Sequence, residues 1–368
     1  WMYEFLTKEL GLDPARLFIT VFRGSTEFSI PRDDEAVGYW QAQFAKDGVA
    51  ASAVDFAERD GMQGGRIFFY DDHKNWWSRS GIPSRMPAGE PGGPDSEMFW
   101  DFGAARGLHE SSPFKDGPCH VNCDCGRFFE IGNNVFMQFQ RSATGFDPLP
   151  KRNVDFGGGL ERMAAAVADD PDVFRIDLFA GARAEVERLS GKRYGADADQ
   201  TKAFRVVLDH LRAAVFLIGD GVLPSNKDQG YFVRRLIRRA VRFGKGLGMK
   251  DACSLAIADA FIAAYADAYP NLHDGAEAIR TALAREEEKF SATLTKGEAE
   301  FEKMFAKSGQ VSGEDAFVLY ATYGFPLELT QEIAGEHGQQ VDKERFETEF
   351  RKHQQLSRAG SEQKFVGG

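Results

Sequence analysis

The stretch Val154-Asp155-Phe156-Gly157-Gly158-Gly159-Leu160-Glu161-Arg162 decides how the chain is read, because it brings a carboxylate, three glycines and an arginine together at the entry to an apolar helix. The physical reading is a nucleotide site. Glycines let a flat ligand lie against the backbone, Arg162 can fork onto a phosphate, and Asp155 can hold an ammonium group. Glycine runs also mark loops and crowded strands, so this one takes its meaning from what precedes it. Upstream stand Phe129-Glu130-Ile131-Gly132-Asn133-Asn134-Val135-Phe136-Met137-Gln138-Phe139 and then Pro148-Leu149-Pro150, in that order.

Working outward, 368 residues suffice for two or three domains that each bury a core, and 43% hydrophobic with 27% charged residues is a globular balance. No apolar stretch approaches the roughly 18 residues a bilayer requires. Trp1-Met2-Tyr3-Glu4-Phe5 also lacks the basic-then-apolar pattern of a signal peptide, so a cytoplasmic home is expected. The net charge of −11 argues against indiscriminate nucleic-acid binding, although a local basic strip can still bind RNA.

The chain divides near residue 195. Before it, Leu17–Phe22, Arg66–Tyr70, Met98–Trp100 and Phe128–Phe139 are short, aromatic or β-branched runs that read as strands, while Ser84–Asp95, crowded with Gly and Pro, reads as a loop. From Thr201 the period becomes helical, with Phe204, Val207, Leu208, Leu211 and Val215 on one face. A long helix is expected over Glu277–Lys307, as a solvated surface helix packing one apolar stripe.

Between Gln229 and Met249 lie six cations, Arg234, Arg235, Arg238, Arg239, Arg242 and Lys245, and no acid. Val233, Leu236, Ile237, Ala240 and Val241 recur at helical spacing, so one face buries while the arginines face either an anion or acids from elsewhere in the chain. Ahead of this helix, Gly221–Asn226 forms a turn that can offer the Asn226 amide to a base edge. Of the four cysteines, Cys119, Cys123 and Cys125 crowd around His120. They cannot build a disulfide framework and lack zinc-finger spacing, so a reduced, inert loop is favoured over metal binding.

On these residues the chain resembles the alanyl-tRNA synthetases, and the opening run is similar to the third signature motif of class II synthetases. The resemblance implies an α+β fold: a partial class II antiparallel-sheet catalytic domain over 1–195, holding motif 3 but lacking motifs 1 and 2, then an α-helical acceptor-stem recognition domain over 196–368. It implies ATP-dependent ligation of alanine to tRNA(Ala) through alanyl-adenylate, with Mg²⁺ on the phosphates. Asp155 then holds the alanine ammonium, Trp77 and Val135 wall the alanine pocket, Gly157 and Gly159 flank the substrates, and Arg162 contacts the terminal phosphates of ATP. On the helical side, Asn226 reads the G·U wobble pair while Arg234, Arg235, Arg238, Arg239 and Arg242 lie along the acceptor stem. The family usually shares that wobble reading with an Asp where this chain has Ala321, which is expected to weaken discrimination unless nearby Glu328 substitutes. With no His-x-x-x-His pair, the zinc-bearing editing site of longer members is not expected, nor is zinc.

Motifs 1 and 2 of the resembling family lie upstream of the matched region, and the family continues past Gly360-Ser361-Glu362, so the chain reads as a piece of a longer protein, inactive alone. Two other readings compete: a non-catalytic tRNA-binding module on a synthetase-like scaffold, and an ATP-dependent ligase for another small amino acid, which leaves the basic helix unexplained.

Overall fold

A computed structural model of the chain describes residues 1–250 and 252–353; Gly360-Ser361-Glu362 lies outside them. The chain forms two compact units, Trp1–Ile176 and Asp177–Gly368. The division falls earlier than residue 195 because the Asp177–Ser190 helix buries Phe179, Ala182 and Val186 and packs its Phe179 ring edge-on against Phe261 of the second unit.

The first unit is built on one sheet of strands β1 (Leu17–Phe22), β2 (Ala53–Asp55), β3 (Ile67–Tyr70), β4 (Trp76–Ser78), β5 (Pro91–Asp101), β6 (Phe128–Arg141) and β7 (Phe146–Gly158). Their order is β2-β3-β1-β5-β6-β7, with β4 also on β5. The sheet is mixed rather than wholly antiparallel, since β1 and β2 both pair with β3 in parallel. Parallel strands are buried on both faces and read as continuous apolar runs, which is what Leu17–Phe22 and Ile67–Tyr70 are. From β1 through β5 and β6 to β7 every pairing is antiparallel.

The expected loop Ser84–Asp95 is a strand over its last five residues. Pro91-Gly92-Gly93-Pro94-Asp95 opens β5, with β4 on one side and β6 on the other, and a bulge between Gly92 and Asp95. Its composition is that of a loop, but the reason is contact: a Cβ on Gly93 would lie 1.9 Å from the Phe136 carbonyl oxygen, so only glycine lets the strands close.

Side chains alternate across the pleat, so directly paired residues share a face. On one face the Asp34–Lys46 helix, capped by Asp33 accepting from the Ala36 amide, seats Trp40 so that its indole N–H donates to Ser96 Oγ at 2.8 Å. The other face carries two cross-strand rows, Asp95–Val135–Asp155 and Glu97–Asn133–Gly157.

The second unit is helical, from Ala198–Gly219 and Asp228–Gly246 through Cys253–Tyr265 and Ala276–Ser308 to Gly313–Tyr323 and Leu327–Glu336, with residues 343–353 also helical. The 33-residue Ala276–Ser308 helix is more than a surface helix. Its buried stripe contains Glu286 and Glu287 beside Leu283, Phe290 and Phe301. Glu287 accepts the amides of Cys253 and Ser254 at 3.1 Å, capping the start of the Cys253–Tyr265 helix from within the core.

Gly93→Ala is expected to lower stability by about 3 kcal/mol or more, whereas Gly157→Ala, whose added Cβ meets nothing within 4 Å, is expected to change it by less than about 1 kcal/mol. Denaturant unfolding of both variants checks this.

Candidate active site and nucleic-acid face

The expected alanine-site residues fall largely on one sheet face. Val135 is buried and opposes exposed Asp155, and Asn133 opposes Gly157, whose open side leaves room for a ligand against the backbone. Trp77 stands apart in the register: it pairs with Gly93, beyond the β5 bulge, and remains 42% exposed. Gly159 ends the strand and places the Leu160–Val167 helix, on which Arg162 donates to the Glu130 carboxylate at 3.2 Å and to its carbonyl oxygen at 3.1 Å.

The sequence reading missed the acids beneath this face. Asn75 donates to Thr20 Oγ1 at 2.7 Å and to Asp95 Oδ1 at 3.1 Å, Thr20 donates to Glu97 at 2.9 Å, and Asn133 donates to Asp95 Oδ2 at 3.1 Å. With its amide nitrogen so committed, Asn133 leaves a buried Oδ1 without a partner, and so does Asn75. A buried acceptor lacking a donor costs free energy comparable to a lost hydrogen bond, and a ligand ammonium can supply that donor.

Burial pushes the Asp95 carboxyl up to about 6, against the hydrogen bonds from Asn133 and Asn75. Burial, then the neighbouring Asp95 and Glu130, push Glu97 up to about 8. Two acids at i and i+2 leading into Met98-Phe99-Trp100 were the available signal: alternation puts both on the face opposite Ser96. Glu97 and Glu130 also line a cavity of about 450 Å³ with His73, Lys74, Asp124 and Arg162, so cations and oxygen donors meet in one recess beside the Asn133–Gly157 row.

In the second unit the arginine stripe is mostly paired with acids from elsewhere in the chain. Buried Arg238 pairs with Glu286 at 2.8 Å and donates to the Gly324 carbonyl, and Arg234 pairs with Glu286 at 3.1 Å. Arg239 pairs with Glu332 at 2.8 Å, and Arg242 with Glu336 at 2.8 Å and Glu298 at 3.3 Å. Composition hid this because the acids lie some 50 to 95 residues downstream. Arg235 carries no ion pair among the described residues; its guanidinium lies 5.2 Å from the ring of exposed Phe232. Asn226 is exposed, its side-chain oxygen accepting from Arg234. Glu328 accepts from the Tyr231 hydroxyl at 2.9 Å, and Ala321 is exposed. No helix among the described residues is long and apolar enough to cross a membrane.

Comparisons with known proteins give the family. The family model described as "tRNA synthetases class II (A)" matches residues 1–366. Over the whole chain the sequence is 39% identical to the alanine–tRNA ligase of Treponema pallidum (strain Nichols) and 36% identical to that of Borrelia hermsii (strain HS1 / DAH), covering 57% and 58% of those proteins. Over 99% of the chain it is 37% identical to the alanine–tRNA ligase of Dehalococcoides mccartyi, covering 38% of it. The chain thus spans between two fifths and three fifths of the length of these relatives.

The buried acids give the first unit a pH dependence of definite sign. Their folded values lie above the unfolded ones of about 4, so between about pH 4 and 8 the folded chain retains protons that the unfolded chain has released, and stability falls as pH rises. Glu97→Gln is expected to flatten that fall and to raise stability at pH 8 by about 1–3 kcal/mol. A pH series of thermal unfolding checks it; an unchanged slope counts against a half-buried, protonated Glu97.

Proposed function

The chain belongs to the class II (A) tRNA synthetases, and from that premise we propose that it carries the alanine, ATP and acceptor-stem contacts of an enzyme that joins alanine to tRNA(Ala) through alanyl-adenylate in the cytoplasm. The observation that carries the reading is the β6–β7 face where exposed Asp155 opposes Val135 and the unpartnered Asn133 Oδ1 stands in the adjacent row, opposite open-sided Gly157. An ammonium between them gains a carboxylate and an amide oxygen, and Val135 offers an apolar wall to a methyl side chain.

Adenylation brings the amino-acid carboxylate against the α-phosphate of ATP, so positioning and charge compensation supply the catalysis and no protein nucleophile is required. Gly157 and Gly159 admit the ligand against the backbone. Arg162 leaves Glu130 for the terminal phosphates, an exchange of one anionic partner for another. Glu130, with Glu97 once it has given up its proton, supplies the hard oxygen donors that would hold Mg²⁺, which would neutralise phosphate charge.

On the helical unit, Asn226 reads the wobble pair, and Arg235 with Phe232 provides the free cation and ring that meet the RNA. Arg234, Arg238, Arg239 and Arg242 hold the helix to its neighbours and shape the surface that presents Asn226.

Titration of this chain with a non-hydrolysable alanyl-adenylate analogue is expected to show binding that Asp155→Ala, Gly157→Ala and Arg162→Ala each weaken at least tenfold. A seryl or valyl analogue binding equally well, or an unaffected Asp155→Ala variant, would contradict the assignment.

For RNA, Arg235→Ala is expected to reduce the salt dependence of acceptor-stem binding by about one unit of slope while altering stability by less than about 0.5 kcal/mol. Arg238→Ala is expected to cost about 3 kcal/mol of stability, since it strips a partner from buried Glu286. Asn226→Ala should shrink the preference for a G·U over a Watson–Crick stem and leave the salt slope intact. Equal treatment of both stems by wild type and the Asn226 variant would limit the helix to electrostatic docking.

A further inference from the structure

Between β5 and β6 runs a connection of residues 102–127 whose regular structure is one short turn, Ala104–Arg106. Segments of that length without secondary structure are uncommon inside a compact unit, and something else must hold them. Here the interior of the connection is a knot of soft ligands. Nitrogen or sulfur atoms of His109, Cys119 and Cys125 lie within 4.8 Å of one another, and Cys123 Sγ is 3.6 Å from His109 Nδ1. His109, Cys123 and Cys125 are buried.

We propose that His109, Cys119, Cys123 and Cys125 form a structural zinc site that fastens the 102–127 connection to the sheet. Three sulfurs and one imidazole are a Cys₃His set, which selects a soft, tetrahedral ion over Mg²⁺ or Ca²⁺. With bonds of about 2.3 Å to sulfur and 2.0 Å to nitrogen, tetrahedral ligand atoms stand about 3.5–3.8 Å apart, the separation already seen between Cys123 and His109.

Two surrounding contacts suit a metal and have no other evident use. His109 Nε2 lies 3.1 Å from the Gly117 carbonyl, so Nε2 carries the proton and donates it, and the Nδ1 lone pair is turned toward the sulfurs. That second hydrogen bond is the usual companion of a ligating histidine. Arg127 is clamped by Asp101 through two hydrogen bonds of 2.8 Å and reaches to 3.9 Å of Cys119 Sγ. Three thiolates around a divalent ion leave one net negative charge, which that guanidinium balances. His120, adjacent in sequence to Cys119, keeps its Nδ1 on the Tyr70 hydroxyl at 2.8 Å and is left out of the ligand set.

The expectation of no zinc rested on the spacing of the cysteines and on the lack of a His-x-x-x-His pair. The fourth ligand lies ten residues upstream of Cys119, in a segment with no motif of its own. A pinned connection would also fix Asn122, Cys123 and Asp124 where they line the recess that holds Glu130 and Arg162.

The test is elemental analysis of this chain, expressed in zinc-supplemented medium and dialysed into metal-free buffer, with a parallel sample reconstituted with cobalt. The expected results are one zinc per chain, tetrahedral cobalt d–d bands with thiolate-to-cobalt charge transfer, and a thermal transition that falls on chelation and returns with zinc. Cys125→Ser and His109→Ala should lose the metal or the tetrahedral spectrum, while His120→Ala should retain both. Substoichiometric zinc together with no cobalt spectrum in the wild-type chain would overturn the site. So would full zinc retention in a Cys119→Ser, Cys125→Ser double variant. The wild-type readouts stand even if a variant fails to fold.

Discussion

The register of β5, β6 and β7 is the constraint on which the first unit depends. A strand has a side-chain period of two, so slipping β7 by one residue would turn Asp155 and Gly157 toward the Asp34–Lys46 helix and bring Val154 and Phe156 over the buried acids. Three features hold the register. Gly93 permits β5 to lie against the Phe136 backbone, Gly132 makes room for the Phe156 ring and the Met98 side chain, and Asn133 ties β6 to Asp95 of β5. The glycines and asparagines that look like loop composition are therefore what allows the strands to approach.

That register also stores polar cost at the place where a ligand would be received. Asp95 is buried and Glu97 half-buried, both with raised pKa values, and two amide oxygens beside them lack partners. Buried groups of this kind destabilise the empty fold and favour a cationic or hydrogen-donating guest, so free energy lost in folding is recovered on binding. The second unit resolves its charges differently. There Arg234, Arg238, Arg239 and Arg242 are matched to Glu286, Glu298, Glu332 and Glu336, while Arg235 carries no ion pair among the described residues.

How far the sequence could be read follows from the range of the interactions involved. Leu17–Phe22 forms a strand with those same bounds, and the basic helix spans Asp228–Gly246, because periodicity and composition are local. Pro91–Asp95 was hidden, since Gly93 answers to the backbone of Phe136, far along the chain. The arginine stripe was legible as a stripe but not in its purpose, because nothing within it reveals acids on distant helices. Asp155, Val135 and Gly157 were placed by resemblance and share a face; Asn133, Asp95 and Glu97 became visible only through the register, and His109 only through the path of the long connection.

The most direct measurement of the central claim is a crystal structure of this chain bound to an alanyl-adenylate analogue. The account predicts the ligand ammonium at hydrogen-bond distance from both the Asp155 carboxylate and Asn133 Oδ1, its methyl group against Val135, and Arg162 turned away from Glu130. An analogue bound elsewhere, or bound with its ammonium in solvent and the Arg162–Glu130 pair intact, would contradict it.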